Sequence, residues 1–167
     1  LPSALLAETI EDAQNERRPL EILVGTKRGA RSTNCIQRHQ CQLRFPRNAF
    51  LEMVREVWVS APELVFVQMA SRLEYGALLA LGYELCGCYP LGEGSGFQVR
   101  GPLTTPERLV AFSGQLGGAR SAKLARSAAL QVRRKSASIM ETEVAIAALT
   151  SRRRGGLGLP PARLNEP

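Results

Sequence analysis

Four cysteines, a single histidine and scattered carboxylates are the side chains that could hold a metal or attack a substrate in this 167-residue chain. Cys35, Cys41, Cys86 and Cys88, with His39 between the first two, supply enough ligands for a tetrahedral zinc site. Their spacing argues against one. Neither pair is a C-x-x-C knuckle, and Cys86-Gly87-Cys88 is too tight to close on one ion from a regular backbone. Two disulfides would also use all four, but no export signal is visible, so reduced thiols are expected. A cysteine hydrolase would need an acid partner for Cys35 or Cys41, and a triad on His39 would need a nucleophile and a carboxylate brought to it. Beside Arg38, His39 reads better as a surface or phosphate-facing residue. Gly92-Glu93-Gly94-Ser95-Gly96 could cradle a phosphate, yet no strand-loop-helix frame with a P-loop lysine surrounds it, and it reads as a linker or hairpin tip.

The stronger chemical signal is charge. The chain carries a formal +7, unevenly spread. From Arg100 onward there are 12 Lys/Arg against 4 Asp/Glu, a net of +8; residues 1–99 carry 10 against 11, a net of −1. A basic part joined to a neutral part points to a face that meets a polyanion, nucleic acid above all. The bland reading is a solvated basic surface. Two clusters stand out: Lys27, Arg28 and Arg31 in a Gly-containing loop, and Arg120, Lys123, Arg126, Arg133, Arg134 and Lys135 in the basic part. Contacts from such residues to phosphates give affinity without sequence choice.

Elements must position these groups. Leu20-Glu21-Ile22-Leu23-Val24, Cys35-Ile36-Gln37, Gln42-Leu43-Arg44-Phe45 and Glu56-Val57-Trp58-Val59 read as short strands separated by turns, so a small antiparallel or mixed sheet is expected. Ser60-Ala61-Pro62-Glu63 announces a helix, with Ser60 as cap, Pro62 in the first turn and Glu63 closing a capping box. One continuous amphipathic helix over 62–81 would bury Phe66, Met69, Ala70, Leu73, Ala77, Ala80 and Leu81, and leave Gln68, Ser71, Arg72 and Tyr75 on another face. Thr104-Thr105-Pro106-Glu107 starts a second helix, and Gly117-Gly118 breaks it. Residues 119–131 form a basic helix, with Leu116, Leu124, Ala128 and Leu130 available to a core. Ser138-Ile139-Met140-Glu141 opens a last helix to about Thr150, Arg152-Arg153-Arg154 suits its dipole, and Gly155-Gly156 ends it.

Two stretches resemble one group of bacterial proteins. Trp58-Val59-Ser60-Ala61-Pro62-Glu63-Leu64-Val65-Phe66-Val67-Gln68-Met69-Ala70 is similar to the V-T-S-P-x-R-T-x-x-D-L-A segment of proteins related to the abortive-infection AbiEi antitoxins, with Gln68 where an Asp is common. Gly118-Ala119-Arg120-Ser121-Ala122-Lys123-Leu124-Ala125-Arg126, continued by Ser136-Ala137-Ser138-Ile139-Met140-Glu141-Thr142, resembles the lead-in to a very-short-patch-repair (Vsr-like) endonuclease domain, with Ile139 in place of Pro. Gly158-Leu159-Pro160-Pro161-Ala162-Arg163-Leu164-Asn165 is similar to that domain's entry into its first core strand. The resemblance implies a PD-(D/E)xK-type parent whose metal-binding carboxylates and lysine lie after Leu164, so this chain is expected to stop before the catalytic core. Only Glu141 matches a position that assists metal binding in the family. As a lone carboxylate it cannot hold Mg²⁺ productively, and as a capping-box partner of Ser138 it needs nothing further.

The expectation is therefore an α+β chain: a small β-sheet region with a long amphipathic helix over 1–99, then a basic helical region over 100–167. Its expected function is nucleic-acid contact, DNA in the first instance, as part of a nuclease or toxin–antitoxin-related protein and not catalytic by itself. The alternative is a protein-interaction or structural domain with a solvated basic surface. No cofactor is expected within the chain, and Mg²⁺ only in a longer parent. No stretch approaches the roughly 18 apolar residues of a membrane span, and a cytoplasmic location is expected because Leu1 to Leu6 has neither basic lead-in nor cleavage pattern.

Overall fold

The computed structural model describes residues 19–24, 32–40, 44–87, 101–116, 120–133 and 139–160. The expectations placed on residues 1–6, on Lys27, Arg28 and Arg31, on Cys41, Gln42, Leu43 and Cys88, on residues 92–96, on Gly117 and Gly118, on Arg134, Lys135 and Ser138, and on residues 161–167 lie outside them. The fold is α+β, with four strands and five α-helices among the described residues. It divides into two compact units, residues 1–45 with 51–59, and residues 46–50 with 60–167. The composition shift near Arg100 therefore falls inside the second unit.

In the first unit, strand β1 (Leu20–Val24) pairs in parallel with β2 (Ile36–Gln40), in the register Leu20 opposite Ile36 through Val24 opposite Gln40. Their residues are half-buried or exposed, as a two-stranded ribbon requires. A second sheet joins β3 (Phe50–Val54) to β4 (Val57–Ser60). Only Arg55 and Glu56 separate these strands, a connection that antiparallel partners alone can use. Glu56 takes a φ of +66°, and its amide donates to the Glu52 carboxylate at 3.2 Å. The single antiparallel or mixed sheet expected from sequence is thus two separate pairs, one of them parallel. Strand β3 carries a weaker signal than the others, with Phe50 and Val54 at its ends and Leu51-Glu52-Met53 between them. Arg44 and Phe45 belong to no strand.

The second unit is helical. Helix α1 (Pro62–Met69) opens on Ala61, whose extended backbone precedes Pro62 at the first helical position. No side chain caps it. Ser60 remains in β4, so the helix starts one residue later than a capping box requires and Glu63 falls one position short of closing one. The chain then leaves the helix at Ala70, where Ser71 Oγ donates to the Gln68 carbonyl at 2.8 Å. Helix α2 (Tyr75–Cys86) restarts from an extended Glu74. The single long helix is therefore two. Its predicted apolar face holds as far as Phe66 and Ala70, both buried, but after the break Leu78, Leu79, Gly82, Tyr83 and Cys86 turn inward while Ala77 is exposed.

Helix α3 (Pro106–Gln115) begins as the sequence indicates: Thr105 accepts the Arg108 amide at 3.3 Å and Pro106 fills the first turn. Its approach is tied to the end of α2 by the amides of Leu103 and Thr104, which both donate to the Leu85 carbonyl. Helix α4 (Arg120–Ala129) packs against α1, α2 and α3 through Ala122, Ala125, Ala128 and Ala129, all buried. Small side chains let α4 approach three neighbours at once. Leu130, expected in the core, is 53% exposed. Helix α5 (Ile139–Leu149) packs on α2 and is followed by a 3₁₀ turn, Arg152–Arg154, closed by Gly155 at a φ of +87°. The chain then doubles back: Leu157 and Leu159 amides donate to the Ala147 and Ala148 carbonyls, both at 2.8 Å. Backbone, rather than the arginine run, satisfies these final carbonyls of α5. No helix among the described residues is long and apolar enough to cross a membrane.

Candidate nucleic-acid interface

The alanine face of α4 is held by three helices, so its opposite face is fixed in orientation. That outer face carries Arg120, Lys123 and Arg126, all exposed. No acidic residue occurs between Gly117 and Lys135. Among the described residues, none of the three cations is in an ion pair with a carboxylate. Charge on a scaffolded helix that is left uncompensated is what a polyanion partner requires, and each such cation would otherwise repel its neighbours.

The arginine run after α5 joins this face. Arg154 lays its guanidinium over the Tyr75 ring, 3.7 Å from the centroid, and Nη1 lies 3.4 Å from Ser127 Oγ on α4. Ser127 is one turn beyond Lys123, so Arg154 arrives in line with the row begun by Arg120 and Lys123. Tyr75 is itself tied to α4. Its hydroxyl donates to the Ser127 carbonyl at 3.2 Å and accepts from Gln131 Nε2 at 2.8 Å. Further along α2, the Tyr83 hydroxyl donates to the Gln131 carbonyl at 3.3 Å. Burial pushes the Tyr83 phenol above its usual range, offset in part by the nearby Arg133 charge and backbone amide.

The remaining candidates are placed differently. Arg133 is half-buried beside Tyr83, with Nη1 donating to the Leu130 carbonyl at 3.4 Å and Nε buried without a hydrogen-bond partner among the described residues. Arg134 and Lys135, like Lys27, Arg28 and Arg31, lie outside the described residues. His39 Nε2 meets Glu21 Oε2 at 2.8 Å across the parallel ribbon. Cys35 is half-buried and Cys86 buried, and neither is in a disulfide. Glu141 is half-buried in the first turn of α5. No group of three or more His, Cys, Asp or Glu side chains converges among the described residues.

Sequence reasoning missed two features. The first is Arg154, which was read only as a helix-dipole partner; its meeting with Tyr75 depends on how α2, α4 and the 3₁₀ turn converge. The second is Glu63, a carboxylate only 1% exposed. Its Oε1 accepts from Thr104 Oγ at 2.6 Å and from Arg108 Nε at 2.9 Å, while Oε2 has no hydrogen-bond partner among the described residues. The pair links α1 to the start of α3. Between α3 and the end of α4 runs an open groove of about 440 Å³ lined mainly by Pro106, Val110, Ala111, Leu130 and Val132, with Glu107 and Arg133 as its charged members. Comparison with protein-family models, curated proteins and solved structures finds no match.

Proposed function

We propose that this chain binds the phosphate backbone of nucleic acid, duplex DNA in the first instance, through the outer face of α4, and does so without catalysing a reaction by itself. The observation that carries the reading is the row of exposed cations Arg120, Lys123 and Arg126, none in an ion pair with a carboxylate among the described residues, on a helix whose other face is locked by three neighbours. Rigid placement lowers the entropy lost when the side chains engage a ligand. Arg and Lys at these positions reach phosphate oxygens, which fix position and affinity but carry no sequence information. The resemblance to the lead-in of a Vsr-like endonuclease domain accords with a DNA-handling parent. On that reading any Mg²⁺ chemistry, and any catalytic use of Glu141, depends on carboxylates brought to it from beyond the described residues.

The test is equilibrium binding of a fluorescently labelled duplex to the full chain and to the triple variant R120Q/K123Q/R126Q. Loss of three phosphate contacts is expected to weaken binding by at least about a hundredfold at low salt. Equal affinity of the two proteins would overturn the proposal. So would an acidic polypeptide that displaces the duplex completely at comparable charge concentration, because the surface would then suit an acidic protein partner.

A further inference from the structure

Resting on the reading of α4 as a phosphate-binding face, we infer that Arg154 is a further phosphodiester-binding residue of that face and that Tyr75 is the residue that positions it. Three observations meet at this point. Arg154 is exposed, sits 3.7 Å above the Tyr75 ring and is in no ion pair among the described residues. Its Nη1 is 3.4 Å from Ser127 Oγ, which leaves most of its five N–H donors for a ligand. Tyr75 cannot swing away freely, since its hydroxyl is held from α4 by the Ser127 carbonyl and by Gln131 Nε2.

The chemistry of the ligand follows from the group presented. A guanidinium with one face covered by an aromatic ring is planar, always charged and weakly hydrated, and its edge matches two oxygens of a phosphate. Stacking on tyrosine attracts the cation without neutralising it, unlike a carboxylate partner. Arg120, Lys123 and Ser127 follow one another at helical spacings of three and four, so Arg154 above Ser127 extends the cationic row to about 10 Å at 1.5 Å per residue. A row of that length can follow one strand over several phosphates, which rise about 3.4 Å each. Gly155, with its φ of +87°, turns the chain immediately after Arg154 and keeps the residues that follow on α5.

The experiment is duplex binding against salt concentration for the full chain carrying R154Q, R154K, Y75F, Y75L or the pair Y75L/R154Q, with K123Q as the reference. Thermal midpoints confirm that each variant is folded. R154Q is expected to weaken binding about tenfold and to flatten the log–log salt dependence by about one contact. R154K keeps the salt dependence but not the full affinity, because lysine cannot stack as a planar fork. Y75F keeps the ring but loses both hydroxyl hydrogen bonds that hold it and falls between the parent and Y75L, which loses about as much as R154Q. The pair is expected to be no worse than either single change, since both remove one contact. Unchanged binding by R154Q alongside weakened binding by K123Q overturns the Arg154 assignment and leaves the α4 reading standing. Additive losses in Y75L/R154Q overturn the positioning role of Tyr75. If K123Q and R154Q both bind as the parent does, the α4 reading fails first.

Discussion

A carboxylate buried to 1% exposure must be hydrogen-bonded or paired, and Glu63 is both. Its Oε1 gathers the Thr104 hydroxyl and the Arg108 guanidinium, so one side chain in the first turn of α1 fixes where α3 begins. Arg108 is 60% exposed along its side chain, which leaves the cation hydrated while the anion is not. Removing the cation would leave the carboxylate buried with one hydroxyl for company. Arg108→Ala is therefore expected to lower the unfolding free energy by about 1–3 kcal/mol, read from chemical denaturation. A change below about 0.5 kcal/mol, the ordinary range for a surface substitution, would contradict the role assigned to the pair. None of this was legible in the sequence. Ser60-Ala61-Pro62-Glu63 reads locally as a capping box, and the partners that claim Glu63 instead are more than forty residues away.

At the scale of elements, several local signals coincide with the structure. Thr105 and Pro106 start α3, Gly155 ends the turn after α5, and the helix around Arg120, Lys123 and Arg126 lies where its period placed it. Apolar periodicity failed across residues 70–74, because Phe66, Met69, Ala70, Leu73 and Ala77 continue one face on paper while the chain itself bends. No proline or glycine marks that bend. After it the inward face is reset, and Gly82 becomes a contact point. A Cβ at Gly82 would lie 2.6 Å from Val132 Cγ2 and 3.1 Å from Phe66 Cε2. Gly82→Ala is accordingly expected to destabilise the second unit by about 1–3 kcal/mol, despite the better helix propensity of alanine. A stabilised protein in a thermal melt would mean that α2 stands off from Val132 and Phe66 more than described.

At the scale of the molecule, the asymmetry of charge was plain from counting, but the surface that carries it was not. Among the described basic residues from Arg100 onward, three form an open row on α4, Arg108 pairs with Glu63, Arg133 is half-buried beside Tyr83, Arg154 stacks on Tyr75, and Arg152 and Arg153 are exposed in the 3₁₀ turn. Among the described residues, the open row, Arg152, Arg153 and Arg154 are exposed to a partner, whereas Arg133 is not. Counting could not tell these apart, because burial and pairing arise from the packing of α2, α4 and the 3₁₀ turn. The parallel pairing of β1 with β2 was equally hidden, since strand composition specifies neither partner nor direction.

The most direct test of the central claim is the salt dependence of duplex binding by the full chain. With Arg120, Lys123, Arg126 and Arg154 each on a phosphate, log affinity should fall linearly with log salt at a slope of about −3.6, near −0.9 for each contact. A slope near zero, or no measurable duplex binding at about 50 mM salt, would contradict the account.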